Sequence, residues 1–258
     1  MTLAPQPRDL PTFYRHTALG EVTSTNDEAV RLAATGAEEG TLITAIRQTS
    51  GRGRRGRTWQ SPEGNLYLSL ILRPGDALAG AAAIGFAGVL SVADAAEGVL
   101  GAAADIALKW PNDVLIGGRK AAGMMIESTG GKGGDALILG VGINVCWHPS
   151  DLPYPATDLH AAGGREANVD DVLRAFCEHF LDRYRQWQKS GFAPLRAAWI
   201  SRAKGLGEAL SVDIEGRRFD GIFEGLDDDG ALCLDLGASG IKKVTAGDVF
   251  FSDTPRPK

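Results

Sequence analysis

Cysteine and histidine are scarce in this chain, and neither is spaced as a metal-ligand set or a disulfide framework. The three cysteines, Cys146, Cys177 and Cys233, are far apart in the 258 residues and include no C-x-x-C pair. The four histidines show no H-x₃₋₅-H spacing. These absences exclude the common zinc signatures and a disulfide scaffold. They favour reduced thiols in a cytoplasmic protein.

Long hydrophobic runs free of breaks are also lacking. The longest apolar stretch, residues 77–100, is interrupted by glycines and by Asp94 and Glu97, so it predicts a core helix and no membrane span. Residues 1–11 are polar and proline-rich, without the apolar centre of a signal peptide. The net charge of −5 argues against a protein that coats nucleic acid. We expect neither a membrane nor a DNA partner.

Acidic residues are missing between Gly40 and Ser61, and the same region holds five arginines within residues 47–57. We call residues 51–59, GRGRRGRTW, the Gly/Arg loop. Glycine lets the backbone approach a ligand closely, and backbone N–H groups together with guanidinium groups suit phosphate. Because the whole chain is acidic, this local positive charge favours a small anionic ligand. A solvated basic linker or a nucleic-acid patch is the alternative that the loop alone leaves open.

The Gly/Arg loop also contains G-x-G-x-x-G, the spacing of a dinucleotide-binding turn. That motif needs a strand before it and a helix that opens on its last glycine. Residues 41–46 predict the strand, but residues 59–65, WQSPEGN, have turn chemistry, and residues 66–72 predict another strand. The missing helix argues against a Rossmann site.

Four further segments carry polar or glycine residues beside predicted strands and helices. Ser24–Asn26 caps a helix predicted to reach Ala34. Lys109–Asp113, KWPND, is a bend between two short strands, and Arg119–Glu127, RKAAGMMIE, is the returning strand. Gly140–Asn144, GVGIN, ends a buried strand whose glycines would let a ligand approach the backbone. Taken singly, each has an ordinary explanation as a cap, a turn, an edge lysine or core.

In this order along one chain, these segments resemble the biotin protein ligases. The resemblance covers about residues 13–205, continues into the tail, and is most specific in the Gly/Arg loop and KWPND. It implies an α+β fold: a mixed, largely antiparallel sheet with flanking helices on one side, like class II aminoacyl-tRNA synthetases, followed by a small SH3-like β-barrel. Short strands predicted near residues 210–215, 218–226, 231–236 and 241–244 fit the barrel. The predicted domains are residues 1–207, catalytic, and 208–258, barrel.

The resemblance implies an enzyme dependent on ATP and Mg²⁺. Biotin would be activated to biotinyl-5′-AMP and then transferred to one lysine of a biotin carboxyl carrier protein, in acetyl-CoA carboxylase or a related carboxylase. Only about a dozen residues precede Phe13, so we expect no DNA-binding domain and no repressor function. A homodimer stays open. A lipoate ligase, which shares the fold, and a non-catalytic ligand-binding regulator are the alternatives.

The resemblance also assigns residues. Lys120, Arg54 and Asp113 would be catalytic, with Asp113 also holding Mg²⁺. Biotin would contact Ser24, Thr25, Asn26, Gln48, Gly51, Arg52, Gly53, Arg54, Trp59, Tyr67, Lys120, Gly123, Gly140 and Gly142. ATP would contact Arg54, Arg55, Arg57, Asn112, Asp113, Lys120 and Asn144.

Two expectations concern loops. We expect the Gly/Arg loop to be disordered in the free protein, since its four arginines and the nearby Arg47 repel one another and would gain partners only when the anions bind. One member of the family that this chain resembles has a tryptophan that stacks on adenine in the loop after GVGIN. Here residues 154–159 read YPATDL, and the adenine contact stays open.

Overall fold

Two β-sheets and four α-helices make up the part of the chain that the computed structural model describes, residues 10–75, 77–130 and 134–251. The first sheet contains β1 (Arg15–Val22), β2 (Thr41–Gln48), β3 (Leu66–Leu72), β4 (Ile106–Lys109), β5 (Asp113–Ile116), β6 (Arg119–Thr129) and β7 (Ala136–Ile143). The second contains β8 (Ala209–Ile214), β9 (Arg217–Leu226), β10 (Leu232–Asp235), β11 (Ile241–Val244) and β12 (Asp248–Phe251). The helices are α1 (Thr25–Ala34), α2 (Ala77–Leu100), α3 (Val169–Ser190) and α4 (Ala193–Ile200). The outer ends of the two predicted domains, residues 1–9 and 252–258, lie outside the described residues.

The first sheet is mixed, as predicted. Its strand order is β1-β2-β3-β7-β6-β5-β4. Only β1 and β2 run parallel, with α1 as their crossover, and every other neighbouring pair is antiparallel. The strands predicted on either side of the Gly/Arg loop are β2 and β3, so the loop connects two neighbouring strands at one end of the sheet.

Both faces of this sheet are covered by helices, and the prediction that the helices lie on one side is wrong. Along β3, Leu68 and Leu70 belong to the large core, while Ile71 belongs to a smaller cluster on the other face. Helix α2 packs over the large core together with α3, and α1 packs over the smaller cluster. Strand alternation produces the two faces. Our prediction missed the second one because α1 is short and half polar.

Helix α2 is the predicted core helix. Its segment Gly80–Leu100 is long and apolar enough to cross a bilayer, yet 67% of its most apolar window is buried within the protein. Gly88 lies against Met124 of β6 and Leu139 of β7. The small residues of α2 therefore serve close packing against the sheet.

The second sheet is antiparallel, in the order β11-β10-β9-β8-β12, and it shares the large core with the first. The Trp199 ring on α4 lies 6.4 Å from that of Phe223 on β9. Trp110 of KWPND donates its indole N–H to the carbonyl of Gly230 at 3.1 Å. Four of these strands match predicted strands; β12 was not predicted. The tail is thus joined to the first sheet by continuous apolar packing.

Candidate active site

A cavity of about 510 Å³ opens where the α1 face of the first sheet meets β12 of the second. This volume is in the range of small-molecule sites. Most of the predicted site residues line it: Ser24, Thr25, Asn26, Gln48, Arg52, Gly53, Arg54, Arg57, Trp59, Asn112, Asp113, Lys120, Gly123, Gly140 and Gly142. The fold therefore brings together segments that are more than a hundred residues apart in the chain.

Glycines form the floor of this cavity. Gly142 on β7 pairs with Gly123 on β6, and Gly140 lies one pleat further along β7. A Cβ at Gly142 would lie 2.5 Å from the indole nitrogen of Trp59. A Cβ at Gly140 would collide with the Asn26 amide. The predicted close approach to the strand backbone is real, but in this structure the groups that approach are Trp59 and Asn26.

A β-bulge turns Lys120 towards the cavity. The register between β5 and β6 shifts between Val114 and Leu115, so that Leu115 pairs with Lys120. In consequence Ala121 and Ala122, although adjacent, both face the large core. Without the extra residue, strict alternation would point Lys120 into that core, because Gly123 faces the site. The bulge is thus a local irregularity with a chemical consequence.

The Lys120 ammonium is held on three sides. Its Nζ lies 2.7 Å from Asp113 Oδ1, and both side chains are only 17% exposed. The rings of Trp59 and Tyr154 flank it, with centroids 5.5 and 5.4 Å from Nζ. Two aromatic faces and one carboxylate thus surround the ammonium group. Lys120 therefore presents a fixed positive charge in a largely enclosed space.

A chain of polar contacts orders the α1 end of the cavity. Ser24 caps α1, as predicted, by accepting the N–H of Asn26 at 3.2 Å. Gln48 Oε1 accepts from the Thr25 backbone N–H at 2.8 Å, and its Nε2 donates to Ser61 Oγ at 2.9 Å. The Thr25 backbone N–H can only donate, so it fixes the Oε1 end of the Gln48 amide towards Thr25 and leaves the NH₂ end for Ser61.

The Gly/Arg loop is an ordered hairpin, and the prediction of a loop without partners is wrong. Arg52 pairs with Thr58, and Gly53 N–H donates to the Arg57 carbonyl at 2.7 Å. The guanidinium of Arg54 donates to Asn112 Oδ1 at 3.0 Å. The other three arginines of the loop pair with carboxylates: Arg52 with Asp27 and Glu127, and Arg55 and Arg57 with Asp248.

Two cations of the cavity, Arg54 and Lys109, have a pKa that is lowered by burial. Burial lowers the pKa of Arg54, and the charges of Asp113 and Asp248 oppose that shift. Burial likewise lowers the pKa of Lys109, a residue that our sequence-based assignment left out, against the opposing charge of Asp113. Lys109 lines the cavity and lies over the Phe251 ring. Its place in KWPND was a signal that could have found it. Nothing in the tail sequence distinguishes Asp248.

Comparison with known proteins gives the relationships of the chain. Residues 19–144 match the biotin/lipoate A/B protein ligase family, and residues 205–252 match the biotin protein ligase C-terminal domain. The biotin–[acetyl-CoA-carboxylase] ligase of Paracoccus denitrificans is 38% identical over 239 residues, covering 90% of this chain and 99% of the relative. The chain belongs to the biotin protein ligase family. The bifunctional ligase/repressor BirA of Bacillus subtilis is 37% identical over 88% of this chain and 71% of BirA.

A solved structure of this family also superposes on most of the chain. The biotin protein ligase of Aquifex aeolicus, in complex with biotin and ATP, matches with a TM-score of 0.78 and 31% identity, covering 92% of this chain and 97% of the relative. Both sheets take part in that match. The mixed sheet with its helices and the C-terminal antiparallel sheet are therefore the biotin protein ligase fold.

Four residues that the family resemblance assigned to the site do not line the main cavity: Gly51, Arg55, Tyr67 and Asn144. Tyr67 is fully buried and donates its hydroxyl to the Pro62 carbonyl at 2.8 Å, and burial raises its pKa. Asn144 lines a small adjoining cleft with Trp59 and Tyr154, and its amide donates to the Thr157 carbonyl at 3.0 Å. That bond holds the segment after GVGIN against β6, where Lys120 N–H donates to the Pro155 carbonyl at 2.9 Å.

Asp113, the predicted Mg²⁺ ligand, has few other metal-binding side chains around it in the part of the chain that the structure describes. Among the described residues no group of three or more His, Cys, Asp or Glu side chains could hold a metal ion together. Magnesium is usually bound through one or two carboxylates and the phosphate oxygens of a nucleotide. The cavity lining holds two carboxylates, Asp113 and Asp248, and Asp248 is paired with two arginines. Asp113 therefore fits a magnesium ion that arrives with its nucleotide.

Proposed function

We propose that this chain, a biotin protein ligase, catalyses two successive group transfers. In the first, a carboxylate oxygen of biotin attacks the α-phosphorus of ATP, the bond to the β-phosphate breaks, and biotinyl-5′-AMP and pyrophosphate form. In the second, a lysine amine of a biotin carboxyl carrier protein attacks the biotinyl carbonyl, and AMP leaves. The single observation that carries this proposal is the convergence of Lys120, Arg54 and several other residues of the Gly/Arg loop on one cavity. The ligase names of the relatives agree with it.

The first step requires two anions to meet, and the cations of the cavity lower the free-energy cost of that approach. Lys120 would lie between the carboxylate and the α-phosphate, where negative charge develops as the bond forms. Fixed charges of this kind act most strongly in enclosed sites because no solvent has to reorganise. Asp113, now paired with Lys120, would turn to the magnesium ion, which supplies charge neutralisation at the phosphates when bound.

The second step requires that the mixed anhydride survive until the carrier lysine arrives. Biotinyl-5′-AMP is open to attack by water and by unrelated amines. The ordered hairpin of the Gly/Arg loop would exclude both by covering the cavity. Arg54, tied to Asn112, is the residue that we assign to this cover. The polar groups of Thr25, Asn26 and Gln48 would receive the ureido head of biotin.

The proposal also includes the identity of the two domains, the source of the carrier protein and the cellular compartment. We assign residues 1–207 to a catalytic domain related to class II aminoacyl-tRNA synthetases, and residues 208–258 to an SH3-like barrel; the five antiparallel strands after the Gly205 turn support the second assignment. Acetyl-CoA carboxylase and related carboxylases would supply the carrier. The acidic net charge of −5 supports a cytoplasmic enzyme that acts on neither DNA nor a membrane.

Mass analysis after incubation with ATP, Mg²⁺ and biotin tests the proposal directly. We expect biotinyl-5′-AMP on the enzyme and biotin-dependent ATP–pyrophosphate exchange. A parallel incubation with lipoate separates the biotin ligase from a lipoate ligase. Adding a carrier domain should move the mass of biotin onto one lysine. Exchange that does not require biotin, or a preference for lipoate, would contradict the proposal.

A further inference from the structure

Glu127 stands behind the cavity wall and joins two parts of the site. It lies on β6, and its Oε2 accepts a hydrogen bond from Asn26 Nδ2 at 2.6 Å. The same oxygen accepts from an N–H of Arg52 at 3.2 Å. Asn26 lines the cavity from α1, whereas Arg52 belongs to the Gly/Arg loop. One carboxylate oxygen therefore links the wall of the cavity to its cover.

The first link decides how the Asn26 amide is oriented. Ser69, fully buried on β3, donates its hydroxyl to Asn26 Oδ1 at 2.5 Å. A serine hydroxyl can donate or accept, so Ser69 would tolerate either orientation of the amide. An ionised carboxylate can only accept. Glu127 therefore holds the NH₂ end of Asn26 towards itself and leaves the carbonyl end with Ser69. Gly140 gives the amide the space beneath it that a Cβ would fill.

The second link fixes the first arm of the Gly/Arg loop. Arg52 also pairs with Asp27 at 2.8 Å, and these two side chains are 43% and 45% exposed. Glu127 is 32% exposed, so its attraction to Arg52 is less screened by solvent than that of Asp27. Asp27 makes no contact with the Asn26 amide group in the described structure. Both carboxylates thus hold Arg52, and only Glu127 also orients the Asn26 amide.

We propose that Glu127 is a positioning residue with two separable tasks. It sets the amide orientation of Asn26 that receives the polar head of biotin, and it holds Arg52 so that the Gly/Arg loop stays over the cavity. The first task rests on the proposed function. The second does not, because it concerns only contacts between Arg52 and other groups of the protein.

Two substitutions at this position separate the tasks. Glu127→Gln keeps the shape of the side chain and a carbonyl end that can still accept from Asn26 Nδ2, but it removes the charge that attracts Arg52. Glu127→Ala removes both. Asp27→Asn is the matched control, because it removes a carboxylate partner of Arg52 without reaching the Asn26 amide.

The experiment uses the full-length protein and two measurements. Trypsin cleavage after the loop arginines, without ligand, reports how often the loop opens. We expect Glu127→Gln, Glu127→Ala and Asp27→Asn each to be cleaved ~2–5-fold faster than the parent, the range of one exposed ion pair. Equilibrium binding of biotin reports the first task. We expect Glu127→Ala to weaken it ~10-fold or more, and the other two variants to stay within ~3-fold.

A double-mutant cycle with Asn26→Ala distinguishes positioning from a general structural effect. If Glu127 acts through Asn26, adding Glu127→Ala to Asn26→Ala should cause almost no further loss of biotin affinity. Fully multiplicative losses would overturn the first task, and cleavage rates equal to the parent's would overturn the second. A parent protein that binds no biotin would refute the proposed function together with the first task, while the cleavage rates still decide the second. If Glu127→Ala does not fold, Glu127→Gln keeps the loop test, and a loss of biotin affinity in that variant beyond ~10-fold would also overturn the separation of tasks.

Discussion

Replacing Asp248 by Asn should loosen the Gly/Arg loop from a distance of almost two hundred residues in sequence. Asp248 begins β12 of the second sheet, and its two carboxylate oxygens accept from Arg57 at 2.6 Å and from Arg55 at 3.2 Å. The tip of the loop is therefore tied to the C-terminal sheet. Asparagine keeps the size of the side chain and removes the charge.

The free energy lost in Asp248→Asn can be judged from how exposed Asp248 and its two arginine partners are. Asp248 is 28% exposed, and Arg55 and Arg57 are 33% and 52% exposed. Pairs this accessible contribute ~0.2–1 kcal/mol each, so the loss should be ~1 kcal/mol, or about fivefold in the loop-opening equilibrium. Arg55 also has a φ of 55°, in the left-handed region, which costs on the order of 1 kcal/mol and favours release of an untied tip.

The ion pairs of Asp248 with Arg55 and Arg57 are intact at neutral pH. Burial alone would raise the pKa of Asp248, but the hydrogen bond from Arg57 and the charges of Arg57, Arg55 and Arg54 outweigh it and hold that pKa below the usual aspartate value. A carboxyl group with a depressed folded-state pKa contributes its stabilisation above its unfolded pKa, and the contribution is lost as pH falls through the depressed value. An assay near pH 7.5 therefore measures the full effect.

Trypsin cleavage of the ligand-free loop is the assay. The control is Glu224→Gln, which removes an equal charge from an exposed position of β9 in the same sheet. We expect Asp248→Asn to be cleaved about fivefold faster than the parent and the control to match the parent, with the difference shrinking at high salt. Equal cleavage rates for both variants would refute the inference that Asp248 holds the tip of the Gly/Arg loop.

Four further outcomes are expected. Lys120→Ala should slow single-turnover adenylation ~30-fold or more, worth ~2–4 kcal/mol, with a smaller effect on biotin binding; a rate within about threefold of the parent would make it a mere edge residue. Arg54→Gly should still form biotinyl-5′-AMP but release it early, and an absence of labelled bystander proteins would count against its role as cover. Gly142→Ala should weaken biotin binding, because its Cβ would meet the Trp59 indole nitrogen at 2.5 Å; unchanged affinity would show that Trp59 is plain core. Deletion from Leu210 onward should leave insoluble or unfolded protein, as circular dichroism would show, and a soluble folded remainder would contradict the shared core.

Local pattern was enough to predict most elements, and the family resemblance named most of the polar residues that line the cavity. The strands around the Gly/Arg loop, the KWPND bend and the cap at Ser24 each depend on neighbouring residues, and the structure has all three. The cavity then follows from the segments that share a family pattern. Lys109 was missed although it stands in KWPND, because a lysine in a short strand is more often an exposed edge residue.

What could not be predicted depends on contacts between distant parts of the chain. The change to short strands after Gly207 suggested a tail that could be removed. The structure instead places Phe223 against Trp199 and the Gly230 carbonyl against Trp110. The loop was expected to lack partners because no acidic residue is near it in sequence. Its carboxylates come from Asp27, Glu127 and Asp248, and only the fold brings them there.

These carboxylates change how anion binding should be understood. Several unpaired cations in one cavity would repel one another before a ligand binds. Part of the ligand's binding energy would then be used to order their side chains. Here Lys120 already pairs with Asp113, and Arg52 with Asp27 and Glu127. In the function proposed above, binding of ATP and biotin would then be an exchange of partners for those cations. The net gain is the difference between two sets of charge pairs, so the site can be held in its working geometry before either substrate arrives and still release AMP after transfer.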